Sequence, residues 1–155
     1  ENIVGFAKKT GYRVKLGVCY SELREGYNCS RCPKCQRTML GFILEGQNPN
    51  DYGFEVSNDF YKLILKNFDK NAVMSVGVKY EWQCLQDKAK VISKPYIIKD
   101  ENSELEYFNT FVNLNLDEIV NKNQEKVQKQ NELKFKIINK FPKLFQLYLD
   151  LRRKL

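Results

Sequence analysis

Apolar residues recur at three- and four-residue intervals through most of this chain, the spacing that gives a helix one buried side. The opening stretch places Ile3, Val4, Phe6 and Ala7 on or near one face. Pro33 suits the first turn of a second helix, whose buried side is Met39, Leu40, Phe42, Ile43 and Leu44 and which Gly46 is placed to end. A third helix takes Ser57 as its N-cap and carries Phe60, Tyr61, Ile64, Leu65 and Phe68. A fourth sets Val73, Val76, Tyr80 and Cys84 along one side, and Pro95 ends that segment. A polar connector with a short extended piece follows, after which Asp100 or Asn102 caps a helix through Leu105, Phe108 and Val112. The next segment is long and polar, striped only thinly by Ile119, Val120, Val127 and Leu133, and is predicted to project from the body. Phe141, Leu144, Phe145, Tyr148 and Leu151 give a closing helix after Pro142 a strong apolar face.

Composition supports a folded chain. With 155 residues, 43% apolar and 13% aromatic, it can bury one ordinary core, or two small ones sharing an interface. No run approaches the length needed to span a bilayer, and the first residues lack the basic start and apolar core of a signal peptide. The reading is a soluble, cytoplasmic protein with no membrane partner. Because the chain starts at Glu1 and runs directly into a helical pattern, it is read as a piece of something longer.

The net charge of +7 is unevenly spread. Residues 1–47 carry eight Lys and Arg against four acids, residues 48–114 eight against ten, and residues 115–155 ten against five. Basic ends permit weak binding to nucleic acid or another polyanion, although lysine-rich helix faces are commonly just solvated. Trp82 and the tyrosines fall on the apolar sides of predicted helices, which favours core over a base-stacking platform.

The candidate chemistry lies in "VCYSELREGYNCSRCPKCQRT", residues 18–38, which holds four of the five cysteines. Cys19, Cys29, Cys32 and Cys35 form C-x9-C-x2-C-x2-C. Disulfides fit poorly, since five is odd, three cysteines crowd into seven residues and nothing marks secretion. Closely spaced cysteines instead turn their sulfurs inward around one ion. An iron–sulfur cluster remains open, but in the ferredoxin pattern a fourth cysteine follows closely and precedes proline, whereas here Pro33 follows the middle cysteine. With no histidine in the chain the site is all-thiolate, and four thiolates suit a structural Zn2+ closed to substrate. Arg31, Lys34 and Arg37 stand where they could offset the local negative charge. The last two ligands would sit at a helix N-terminus, whose positive end favours thiolate. Cys84 reads as a small buried apolar residue and not as a fifth ligand. The expected fold class is therefore mainly α: a helical domain with a small four-cysteine zinc-knuckle lobe near the N-terminus. Residues 1–56 would form the lobe and its following helix, and residues 57–155 a helical C-terminal region.

Cys19, Cys29, Cys32 and Cys35 followed by Arg37 resemble the C-terminal zinc motif of the 7-cyano-7-deazaguanine synthase group within the PP-loop ATP-pyrophosphatase superfamily. More closely, "YNCSRCPKCQRTMLGFILEG" resembles PP-loop-like proteins, some encoded near bacterial surface-polysaccharide genes, that share an N-C-x-x-C-x-K-C-x-R-T-M-L block. The likeness is sharp over residues 12–56 and faint afterwards. It implies an N-terminal nucleotide-binding domain, with a Ser-Gly-Gly-x-Asp-Ser type loop, that uses ATP and Mg2+ to adenylate a substrate. No such loop, and no G-x-x-x-x-G-K-[ST], occurs here.

Two functions follow. One is a structural zinc module, the C-terminal part of a PP-loop-type ATP-dependent enzyme. It would be non-catalytic by itself and partnered by the nucleotide-binding domain, and Arg37 would either close over nucleotide or acceptor or pair with a carboxylate. The other is a stand-alone zinc-dependent module that binds nucleic acid or an acidic protein.

Overall fold

A computed structural model describes residues 2–22, 26–69, 74–92, 101–143 and 146. The described residues are mostly helical and contain no strand, so the protein is mainly α. Among the described residues the helices run in order α1 (Ile3–Thr10), α2 (Pro33–Leu44), α3 (Phe60–Asp69), α4 (Val76–Lys90), α5 (Glu101–Val112) and α6 (Leu116–Lys140), with a 3-10 turn at Pro49–Tyr52.

The centre of the molecule is α2. Its first residue is Pro33, and its Met39, Leu40, Phe42, Ile43 and Leu44 are all buried, as the spacing predicts. Gly46 takes the left-handed conformation, φ 69°, that lets the chain turn off the helix end. Buried on so many sides, α2 packs against the 3-10 turn, α3 and α4, and Phe42 stacks on Tyr52 with ring centroids 4.0 Å apart. A second aromatic group joins α3, α4 and α5: Phe68, Trp82 and Phe111 meet with centroids 5.0–6.3 Å apart. Trp82 is thus core. Both groups belong to one continuous apolar interior that includes Cys19 and Cys35.

Buried polar side chains tie the helices together. Gln36 of α2 accepts from Asn67 of α3 at 2.6 Å. Gln86 of α4 donates to the carbonyls of Phe111, in the last turn of α5, and of Leu114, just past it. The first turn of α3 is capped from a distance, since the Tyr61 amide donates to the Glu104 carboxylate of α5 at 3.1 Å. Burial, and then the Glu104 charge, push the Tyr61 phenol well above its ordinary range.

Several expectations change. Ser57 lies ahead of α3 and does not cap it; Glu104 supplies the oxygen from another helix. Asn102 lies inside α5, and Asp100 falls outside the described residues. On α4 the buried side is Trp82, Gln86 and Ala89, whereas Val76, Tyr80 and Cys84 face solvent. Cys84 is therefore exposed, contrary to its reading as a buried residue, because the bulk of Trp82 decides which way the helix turns. Ser75 caps this helix, accepting from the Val78 amide at 3.3 Å, and Val73 lies outside the described residues. The closing helix expected beyond Pro142 falls largely outside them as well. Among the described residues no helix is long and apolar enough to cross a membrane.

Candidate metal centre

The four sulfurs come together from three short pieces of chain. Cys19 lies in a run without regular secondary structure, Cys29 and Cys32 flank a tight turn, and Cys32 and Cys35 occupy the N-cap and first turn of α2. All four Sγ atoms lie within 4.8 Å of one another. Separations are 3.4 Å for Cys32–Cys35 and 3.9 Å for both Cys19–Cys32 and Cys29–Cys35. Cys19 and Cys35 are buried and the other two half-buried. Four thiols gathered this closely form a donor set that could hold a metal ion.

The turn that brings Cys29 and Cys32 together needs a left-handed residue, and Ser30 supplies it at φ 56°. Its hydroxyl accepts from the Glu55 amide at 2.9 Å, which ties the turn to the chain following the 3-10 turn. The Cys32 amide then points at Cys29 Sγ, 3.4 Å away, and the Ser21 amide at Cys19 Sγ, 3.3 Å away.

Asn28 organises the whole lobe, and its role escaped the sequence reading. Its buried side-chain oxygen accepts from the amides of Val18 and Cys19, at 2.9 and 3.2 Å, while its nitrogen donates to the carbonyls of Leu16 and Gly53, at 2.6 and 2.8 Å. One side chain thereby fastens the Cys19 run and the segment after the 3-10 turn to the residue next to Cys29. Gly53 suits this position through its backbone, since its φ of 91° is a conformation that residues with a side chain rarely adopt. The only sequence signal was the asparagine in the "NC" pair.

The sulfurs are electrostatically unequal. Backbone amides of Cys29 and then Ser21 donate to Cys19 Sγ and lower its pKa from the ordinary thiol value to about 6. Burial pushes the Cys32 and Cys35 thiols up, and for Cys35 the neighbouring Cys32 sulfur adds to the rise. Cys19 is thus the sulfur most readily presented as thiolate, while burial holds Cys32 and Cys35 toward the thiol form.

The three cations singled out for the site differ in placement. Arg37, on α2, is half-buried, pairs with Glu81 of α4 at 2.7 Å and lies over the Trp82 ring at 5.8 Å. Of its two expected roles the geometry shows the carboxylate pair. Lys34 is exposed, its ammonium 3.9 Å from the centre of the Tyr20 ring, and Arg31 is exposed. Cys84 does not join the cluster. It lines an open groove of about 550 Å³ between α2 and α4, together with Lys34, Arg37, Tyr80 and Lys88.

No family model matches the chain, and no curated protein or solved structure matches it either.

Proposed function

We propose that Cys19, Cys29, Cys32 and Cys35 hold one structural Zn2+. We further propose that the chain is the zinc-stapled helical module of a PP-loop-type, ATP-dependent adenylating enzyme, with no catalytic group of its own. The observation that carries the metal reading is the sulfur geometry. A tetrahedral ion with Zn–S bonds of about 2.3 Å sets its sulfurs about 3.8 Å apart. Three of the six separations, 3.4 to 3.9 Å, lie around that value and all six are within 4.8 Å, whereas a four-iron cluster would need its thiolates spread wider. Reduced thiols in such a site suit a reducing compartment, so the reading places the protein in the cytoplasm.

The enzyme-module reading rests on the "NCSRCPKCQRTML" block and on the way that Arg37 is spent in holding α4 against the metal helix, a structural use of a residue placed nearest to chemistry. ATP and Mg2+ would belong to a nucleotide-binding domain on the N-terminal side. The test has two parts. Elemental analysis of protein made without added iron should find one zinc per chain, lost on Cys→Ser at any of the four positions and retained in Cys84→Ser; iron with acid-labile sulfide would overturn the zinc reading. The coding sequence ahead of Glu1 should contain a Ser-Gly-Gly-x-Asp-Ser type loop, and tight Mg-ATP binding by this chain alone would count against the module.

One observation favours the second reading, a zinc-dependent nucleic-acid module. Tyr12, Tyr20 and Tyr27 are exposed on the metal lobe, near Arg13, Arg31 and Lys34 in sequence, a combination suited to stacking on single strands. Binding that survives moderate salt and is lost on Tyr20→Ala would support it.

A further inference from the structure

Past Asn123 the α6 helix leaves the body. Leu116, Val120 and Asn123 are buried, and the Asn123 side chain donates to the Phe68 carbonyl at 3.3 Å. Residues 124–140 are exposed apart from half-buried Val127 and Ile138. Residues 121–140 carry six lysines against two glutamates. Five of the six, Lys122, Lys126, Lys129, Lys136 and Lys140, follow one another at intervals of four, three, seven and four residues, and all five are exposed. At about 100° per residue those intervals confine them to an arc of about 80°. They form one stripe, centred about 130° round the helix from the side that Leu116, Val120 and Asn123 turn to the body. At about 1.5 Å per residue the stripe is about 27 Å long. Lys134 stands off it, on the body side.

Such a stripe does not serve the helix itself, because like charges three and four residues apart destabilise it. Glu125 and Glu132 precede Lys129 and Lys136 by four residues, the spacing of a stabilising pair, but both lie at the margin of the stripe, and Glu132 accepts from Gln128 at 3.3 Å. Among the described residues none of the five lysines is in an ion pair. The partner they fit carries a line of anions. A lipid surface is a poor match, since it buries an apolar side and takes lysines at its rim. Here the lysines fill the outward side, and Gln130, Asn131 and Lys134 break up the apolar one. Duplex DNA carries one charge per about 1.7 Å of axis, so about sixteen along the stripe, and it is already straight on this scale. A single strand would first have to be straightened along the helix.

We propose that the outward side of α6 binds duplex DNA, with Lys122, Lys126, Lys129, Lys136 and Lys140 contacting phosphates and displacing their counterions without reading the bases. Leu133 lies in the stripe and interrupts it, leaving a gap of about 10 Å along the axis between Lys129 and Lys136. The metal lobe takes no part. The surface is therefore separate from the reading that places nucleic acid on Tyr20 and its neighbours, and it does not depend on which ion the four sulfurs hold.

Fluorescence anisotropy of a labelled, mixed-sequence DNA duplex titrated with the metal-loaded chain tests this. At about 0.9 per phosphate contact, five contacts give a slope of log affinity against log salt of about −4.5, a fall of about 500-fold between about 50 and 200 mM salt. Lys126→Gln, Lys129→Gln and Lys136→Gln should each flatten the slope by about 0.9, and the triple variant should bind at least about tenfold more weakly at about 50 mM salt. Leu133→Lys should fill the gap, tightening binding and steepening the slope by about the same amount. Lys134→Gln, off the stripe, and Tyr20→Ala, on the metal lobe, should each change affinity by less than about twofold. The far-UV circular dichroism of every variant should match the parent, since all these positions are exposed. No binding at about 50 mM salt, a loss in Lys134→Gln equal to that of a stripe variant, or a dependence on Tyr20 alone would overturn the proposal. Tighter capture by a single strand of the same length, or by phosphatidylserine vesicles, would also overturn it, and if lost in the triple variant would assign the stripe to that partner.

Discussion

Spacing alone exposes the four cysteines, because ligands to one ion must lie close in space and short loops keep them close in sequence. Asn28 has no such signature. Its partners are backbone groups of Val18, Cys19, Leu16 and Gly53, and backbone leaves no trace in composition. Asn28→Ala would leave two amides and two carbonyls to find other partners in a buried place, a cost of about 2–3 kcal/mol. On the proposed zinc reading, the variant should lose its ion to a chelator much faster than the parent protein, and the cysteine lobe should melt first. Equal retention of zinc would show that the four sulfurs, and not the asparagine, set the lobe's geometry. Cys84 illustrates the opposite error. A cysteine among apolar neighbours reads as buried, yet which side of α4 turns inward depends on where Trp82 finds Phe68 and Phe111, and those contacts come from other helices.

At the scale of elements, α2 was legible down to its ends, since Pro33, five buried apolar residues and Gly46 agree with one another. The amphipathic reading failed on α4 because that helix is held as much by polar side chains as by apolar ones. Gln86 reaches the end of α5, Glu81 holds Arg37, and Lys88 pairs with Glu45 at the end of α2. The hydrogen bond and charge of Lys88 hold the Glu45 carboxyl below its ordinary range. A depressed carboxyl contributes stability at pH values above its unfolded pKa and loses it as the pH falls through the folded one. Lys88→Met should therefore cost less than about 1 kcal/mol at neutral pH, because the pair is partly exposed. The gap between variant and parent should close on acidification, and the Glu45 carboxyl in the variant should titrate nearer its ordinary value by NMR. Loss of metal at low pH affects both proteins and drops out of the comparison. A gap that is constant with pH would mean that Lys88 acts through the packing of its aliphatic stem.

The molecule as a whole is organised around a helix that serves two ends, since α2 supplies Cys35 to the four-cysteine cluster from its first turn and Met39 to Leu44 to the apolar interior. Ahead of it, the described part of residues 12–32 has no helix and is held by Asn28, by the Ser30 turn and by the sulfurs themselves. Behind it, α3, α4 and α5 bury Phe60, Phe68, Trp82, Phe108 and Phe111 against one another without any help from the metal. Metal binding can contribute on the order of 10 kcal/mol to a small zinc unit, so its removal should be felt most where little else holds the chain. Amide hydrogen exchange with and without a strong chelator should show protection vanishing from Leu16 through Cys35 and persisting from Met39 through the end of α2 and across Ile64, Trp82 and Phe111. The boundary should fall inside α2, near Gln36, because its bond to Asn67 is the first tie from that helix to α3. Loss of protection along the whole chain would instead mean that the crowded, metal-free sulfurs push α2 out of the core. Unchanged protection would mean that Asn28 and the turn at Ser30 hold the lobe without an ion.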